Sequence, residues 1–392
     1  MSSLIGFEIK KFCNRRKNLW VLLIFIILSI VFITLNSKLE KDLKNSEITS
    51  MDLEMESIKN SLTHVESEII RLPDNEKLKQ MKTSSEENLK LLKGMKIAYS
   101  SNDMSKYLEY KIQKDSKLVD DIESGFVIAE LNTEEMKRNI EINTVLLNEG
   151  IDPIFTQVSM EGFNFVRLFI NSPISIIIVI LIIVLSADVV SSEYDSNTYK
   201  LLFTQPISKR KILLSKIISS LIMVGVIVFG IIAIVFCVLG IKNGFGSINY
   251  PTLFYDNGII SIIPLGKFLG YGLMLFIILT TFICILAVTI SSFCKSNSNS
   301  LATSIIIGVS LYMISIKGFF SSLAHFNPFV YFDISNVLQG TVATTFDNIK
   351  VNFKYGVLTL GLSTIALLIV TILLFERRNM EFNRLRFLSK QK

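Results

Sequence analysis

The sequence offers little with which to build catalytic chemistry. Its four cysteines are Cys13, Cys237, Cys284 and Cys294. None lies in the long polar stretch 37–165, so no disulfide framework holds that region together. Cys237 and Cys284 fall in apolar runs and are expected to pack inside them. The two histidines, His64 and His325, have no cysteine or carboxylate at metal-ligand spacing, which argues against a metal site and against a histidine triad. No G-x-x-x-x-G-K-[ST] segment occurs. The nearest dipeptide, Gly266-Lys267, has Ser261 where the first glycine is needed, so no phosphate-cradling loop is expected. Neither a G-x-S-x-G elbow nor an H-E-x-x-H helix is present. The chain is therefore read as no enzyme, with no catalytic residues and no cofactor or metal of its own.

Charge is scarce too. Half of the 392 residues are hydrophobic, 19% are charged, and the mean hydropathy is +0.50. A soluble domain of this size still needs a largely polar exterior. Here the apolar residues come in blocks and the charges are confined between them, the pattern of a chain whose solvent is lipid. The net charge of +6 lies mostly in short segments beside the blocks, and is read as topology-setting charge rather than a footprint for nucleic acid.

Residues 1–17 are basic and set Leu4, Ile5, Ile9 and Phe12 near one helical face, as in a helix lying on a membrane surface. The run Asn18–Leu35 is about 18 residues long, enough for one crossing, and the first transmembrane helix is placed at 18–36. It leaves as TLNSKLEKDLK with no small-x-small site, so an uncleaved anchor is favoured over a signal peptide. Residues 37–165 then carry charges of both signs. Ile48, Met51, Met55, Ile58, Leu62, Val65, Ile69 and Leu72 repeat at spacings of three and four, an a/d seam that Pro73 ends. Further amphipathic helices fit 76–98, 104–130 and 133–148. The lipid pattern returns in a transmembrane domain over 166–392, with spans expected at 172–190, 213–241, 265–290, 301–317 and 355–375. The broken apolar stretch 318–354 reads as a re-entrant or surface-lying pair of short helices, because Pro328, the glycines and Asp333 disfavour a seventh span. The predicted fold is an all-α integral membrane protein with six transmembrane helices and a large helical extracellular domain between the first two.

Basic residues set the orientation. Lys10, Lys11, Arg15, Arg16 and Lys17 precede the first span; Lys200, Lys209, Arg210, Lys211 and Lys216 fall between the second and third; Arg377, Arg378, Arg384, Arg386, Lys390 and Lys392 lie in the tail. The positive-inside rule then places both termini in the cytoplasm and 37–165 outside. No charge falls in the middle of a span; Asp188 and Lys317 sit near ends, where snorkelling is cheap. A path without buried charge suits a hydrophobic or amphipathic passenger. Gly266, Gly270 and Gly272 are candidates for close helix contact.

The informative segment is 186–216, SADVVSSEYDSNTYKLLFTQPISKRKILLSK. Glu193 and Asp195 precede a short amphipathic helix around Thr198–Phe203, their charge complements its dipole, and Gln205-Pro206 stops it. The ordered series Glu193, Thr198, Leu201-Leu202, Pro206-Ile207-Ser208, Lys209-Arg210 and Lys216 resembles the membrane subunits of ATP-binding-cassette transporters of the type-2 permease family. The usual glycine before the threonine is Asn197, which also tolerates a left-handed backbone. The run Asn327-Pro328-Phe329-Val330-Tyr331-Phe332 is similar to the family's outer re-entrant region. The resemblance covers the chain except 37–165.

The resemblance implies a permease subunit of an exporter in a bacterial cell membrane, a source to which the Ile-, Lys- and Asn-rich composition also points. It implies a cytoplasmic coupling loop at 191–211, an outer re-entrant region at 318–354 and a cytoplasmic tail at 376–392. A separate cytoplasmic ATPase subunit would hold the ATP and magnesium, and the permease would act as a homodimer or beside a second permease. Spans two and five would line the path, with a peptide or lipophilic antibiotic as the first-ranked substrate and sodium as the alternative. A reading of another class is a membrane-anchored sensor or scaffold whose external helical domain binds a ligand.

Overall fold

The computed structural model describes residues 1–124, 132–154, 158–170, 172–318 and 321–389. It divides into two compact units: residues 1–33, 161–246 and 253–392 form one, and residues 34–160 with 247–252 form the other. Helix α1 (Ser2–Cys13) is followed by a 56-residue helix α2 (Arg16–Arg71). Phe12 is buried, and Asn18 Nδ2 donates to its carbonyl at 2.9 Å, which fastens the turn between the two helices.

In the polar unit α2 ends just before Pro73. It is followed by α3 (Glu76–Ser100), α4 (Met104–Glu123) and α5 (Thr133–Glu149). Each start carries a side-chain cap. Asn75 accepts from Lys77 N and Leu78 N, Asp103 from Lys106 N, and Asn132 from Glu135 N, which satisfies amides that a helix leaves without partners. Residues 125–131, the end of the stretch expected to be helical over 104–130, lie outside the described residues. The heptad positions Met51 and Met55 pack with Leu92, Met95 and Ala98 of α3, Tyr107 and Leu108 of α4, and Leu146 of α5. Leu72, by contrast, is exposed. Tyr107 is fully buried and donates its hydroxyl to Glu47 at 3.1 Å; burial and that carboxylate push the phenol well above its ordinary pKa. Ion pairs Lys96–Asp52, Lys114–Glu54 and Lys117–Glu87 rim the core.

The apolar unit continues with α6 (Gly162–Ile170), α7 (Ser172–Ser186), α8 (Ser191–Asp195), α9 (Tyr199–Thr204) and α10 (Lys209–Asn243). A hairpin of β1 (Pro251–Asp256) and β2 (Ile259–Pro264) precedes α11 (Leu265–Phe293) and α12 (Asn297–Ile316). The segment 321–332 holds two 3-10 turns, Ser321–Phe326 and Pro328–Phe332; α13 (Ile334–Gln339), α14 (Thr341–Thr345) and α15 (Phe353–Ser389) complete the chain. Among the described residues six segments are long and apolar enough to cross a membrane: Arg16–Arg71, Ile176–Asp195, Lys209–Asn243, Leu265–Phe293, Asn297–Ile316 and Phe353–Arg377. The all-α membrane class with six spans holds.

Helix α11 is buried around much of its circumference and packs against α6, α7, α10, α12 and α15, which makes it the axis of the bundle. The helical path of α7 breaks at residues 187–190 before α8. The peptide groups freed there are taken up by hydroxyls of neighbouring helices, as a low-dielectric interior demands. Ser291 Oγ accepts from Val190 N at 3.2 Å and Ser191 N at 2.9 Å, and Ser300 donates to the Ala187 carbonyl. Buried Cys284 sits between Ser186 and Ser220, whereas Cys237, expected inside, is exposed on this chain because it lies on the outward face of α10. Among the glycines read as contact points, Gly270 faces open space. Gly272 is the tight position, where a Cβ would meet Ile170 at 3.1 Å.

The hairpin is an addition to the expected all-helical reading. Asn257 (φ +49°) and Gly258 (φ +92°) form its two-residue turn, the left-handed pair that tight hairpins require. Asn352 Nδ2 donates to Asn257 Oδ1 at 2.7 Å, and Lys354 pairs with Asp256. Replacing Leu92, which has no exposure, by alanine should cost about 2–5 kcal/mol. Hydrogen exchange on the full-length protein should show the loss as weakened amide protection across α3, α4 and α5, with α11 unaffected.

Candidate functional site

Two turns into α10, Lys216 is carried into the interior at 1% exposure, although its place after a basic loop reads as another topology-setting charge. A desolvated ammonium is retained only when paired and hydrogen-bonded. Two carboxylates meet it: Glu8 of α1 at 2.7 Å and Glu193 of α8 at 2.6 Å. Glu193 is itself buried. The oxygen that takes Lys216 also takes Lys11 Nζ at 2.5 Å, and its second oxygen accepts the Thr198 hydroxyl. The result is an alternating row, Glu8, Lys216, Glu193 and Lys11, whose charges balance.

A second cluster lies beside it. Asp188, at 7% exposure, pairs with Arg15 at 2.9 Å and Lys17 at 2.7 Å. Arg15 also donates to Ser192 Oγ at 2.7 Å, and Lys17 to the Val184 carbonyl at 2.7 Å. The expectation that Asp188 snorkels at a span end is therefore corrected. It sits where the helix breaks, and the basic residues of the α1–α2 junction come to it. Buried charge therefore lies at this end of the spans.

Above the row lies a groove of about 920 Å³ between α1 and α9. Leu4 and Phe7 form one wall, Leu201, Leu202 and Ile207 the other, and Glu8, Lys11, Glu193 and Thr198 its polar floor. Asn197 adopts φ +57°, the left-handed turn in which asparagine replaces glycine, and separates α8 from α9. Gln205 is extended, as a residue before proline is, and α9 stops at Thr204. Leu201 is 71% exposed. Pro206 and Ser208 are exposed, and Ser208 occupies the N-cap of α10 without a side-chain cap bond. Lys209 is half-buried, while Arg210 pairs with Glu376 of α15.

The structure thus brings Glu193 and Thr198 to one point with Lys216, sets Leu201 and Leu202 on the groove, and takes Arg210 elsewhere. Glu8, Lys11, Arg15 and Asp188 were missed as members. The usable signal was a lysine four residues into a long apolar run, which needs a carboxylate. The other flagged group is a separate structural knot. Asn327 caps the second 3-10 turn through Phe329 N at 3.0 Å and donates to Ser315 at 2.8 Å. Pro328 opens the turn, Phe329 packs edge-on to Phe282, and fully buried Tyr331 donates to the His325 carbonyl at 3.0 Å. Burial, and then the charge of Lys350, hold the His325 imidazole below its ordinary pKa. Among the described residues no group of three or more His, Cys, Asp or Glu side chains is placed to hold a metal.

The model of the ABC-2 family transporter proteins matches residues 8–380. The chain belongs to the ABC-2 transporter family. The match runs through 37–165 as well, the stretch that the motif-based resemblance left out. A comparison with curated proteins finds no match. Membership makes this ABC-2 chain a permease subunit, consistent with a transporter membrane component, and implies pairing with an ABC ATPase.

Removing the central cation of the ABC-2 chain takes the Lys216 partner from half-buried Glu8 and leaves buried Glu193 with Lys11 alone. Lys216→Met should destabilise it by about 3–5 kcal/mol and lower the thermal midpoint of the purified protein. Adding Glu8→Gln should recover most of the loss, because Glu193 and Lys11 then balance each other. Recovery absent from this double variant would show that packing, not charge balance, governs this point.

Proposed function

We propose that this permease works in an exporter whose force enters through α9. The observation that carries this is the groove: an exposed leucine on a six-residue helix stands beside charges of α1 and α8 that are locked to Lys216 of α10. An apolar, solvent-facing knob beside a fixed base is what a soluble partner can grip. Any displacement of α9 reaches Glu193 through Thr198, and from there both α1 and α10.

In this reading 191–211, α1 and the tail of α15 face the cytoplasm, as the density of basic residues around them favours. Residues 37–165 and 318–354 face outward. A separate ATPase binds ATP and magnesium, closes, and presses on α9 and α1. Two permease copies, or this chain and a second permease, enclose the path, with Ile176–Asp195 and Asn297–Ile316 beside it. In this reading the passenger is a peptide or lipophilic antibiotic, which the resemblance to exporters and the apolar spans support. No observation favours sodium. The cell is bacterial in this reading, on composition alone.

Leu201→Asp tests the assignment without touching the buried row. It should weaken association with the ATPase by about 2 kcal/mol or more, roughly thirty-fold, and abolish ATP-driven transport, while the thermal midpoint of the permease stays put. Retained co-purification and transport in both Leu201→Asp and Leu202→Asp would remove α9 as the contact. Labelling of cysteines placed at 195–211 from either side of sealed vesicles checks the orientation; accessibility from the exterior would overturn it.

A further inference from the structure

A second cavity, about 160 Å³, lies between the end of α12, the second 3-10 turn, α13 and α14. Tyr312, Phe329 and Phe346 give it aromatic walls, Ser315 and Asn336 add polar edges, and Asp333 is the one charged residue among the described residues that line it. We propose that this cavity receives the positively charged group of an amphipathic peptide, a primary ammonium or guanidinium on one side chain, with Asp333 as its counter-ion.

The walls are held in place before any ligand arrives. Tyr312 stacks on Phe332 at 5.5 Å and 18°, and Phe329 sits edge-on to Phe282 at 5.7 Å. Asn336 Nδ2 donates to Asp333 Oδ2 at 2.8 Å, which orients the carboxylate. A cation entering here gains charge-assisted hydrogen bonds to a partly desolvated carboxylate and the attraction of aromatic faces. Size limits the occupant. Whole drug-sized ligands occupy roughly 300–1,000 Å³, so the cavity takes a side-chain-sized group while the rest of the molecule stays outside.

A bare metal ion fits less well, because it needs a shell of oxygens. The Ser315 hydroxyl donates to the Leu311 carbonyl at 2.7 Å and accepts from Asn327, and Thr345 donates to the Thr341 carbonyl at 2.8 Å. These hydroxyls are committed to the fold. The proposal rests on the exporter reading only in calling the occupant a substrate; binding is tested apart from transport.

The experiment uses the full-length protein with its ATPase in lipid nanodiscs, and dansylcadaverine as a fluorescent primary ammonium. Its N-acetyl derivative is the uncharged control. Wild-type protein should bind the ammonium probe saturably and about ten-fold more tightly than the acetylated one. Asp333→Asn should erase that preference. Val342→Trp, which fills the cavity and leaves Asp333 in place, should abolish saturable binding of the ammonium probe. If Asp333→Asn fails to fold, the wild-type comparison and the filled variant still decide. Equal affinity for the two probes in wild type, a preference that survives Asp333→Asn, or displacement of the probe when sodium replaces potassium at constant ionic strength would each overturn the site. Co-purification of the ATPase is read in the same preparation. Its loss with the probe preference intact would sink the exporter reading and leave this one standing.

Discussion

A lysine with almost no contact with solvent organises one end of the apolar unit. Left alone, the ammonium of Lys216 would carry a desolvation penalty of several kcal/mol. It is tolerated because carboxylates reach it from two elements distant in sequence, Glu8 in the first helix and Glu193 in the eighth. Once that constraint is met, much else follows. The N-terminal helix must lie along the start of α10, the segment after α7 must bring Glu193 back to the same point, and Lys11 must neutralise the carboxylate that remains. Long-range order here comes from charge balance in a dry place, and the apolar surfaces fit around it.

The break in α7 belongs to the same design. A continuous helix through residues 187–190 would satisfy its own backbone and would have no need of Ser291 or Ser300. Interrupting it lets Asp188 and Glu193 serve two different clusters. The freed peptide groups are taken up by hydroxyls from α11 and α12. The charged row is thereby tied to the central helix of the bundle and is not an accessory to its surface. Helix α9, by contrast, is short and exposes Leu201; the Thr198 hydroxyl on Glu193 ties it to the row. A rigid base under a small, accessible lever is the property that the coupling proposal uses.

The spans were legible because lipid imposes composition over long windows, and a run such as 265–290 has no other comfortable solvent. Heptad spacing placed Met51 and Met55 on a buried seam for a similar reason, since periodicity is a local property. The left-handed turn at Asn197 was legible from one residue's tolerance. Pairing was not legible. Counting Lys216 among loop charges assigned its sign correctly and its environment wrongly, because no spacing rule links it to Glu8, 208 residues away. Asp188 was misread on the same ground. The hairpin was overlooked for a different reason: Asn257-Gly258 is a sound local turn signal, but attention to lipid-length runs passes over strands of six residues.

The two sites argued for here are joined by a single element. Helix α12 starts at the charged end, where Asn297 accepts from Ser191 and Ser300 holds the Ala187 carbonyl. It finishes at the aromatic cavity, to which it contributes Tyr312, Ser315 and Ile316. Twenty residues of α-helix span about 30 Å, with no proline to bend this one. A helix transmits axial and rotational displacement far better than it absorbs it, since its backbone hydrogen bonds are internal. Movement of α8 therefore acts on one wall of the cavity directly, without a relay through loosely packed side chains. If force does enter at α9, the cavity proposed to take a cationic group lies at the far end of the helix that would carry it.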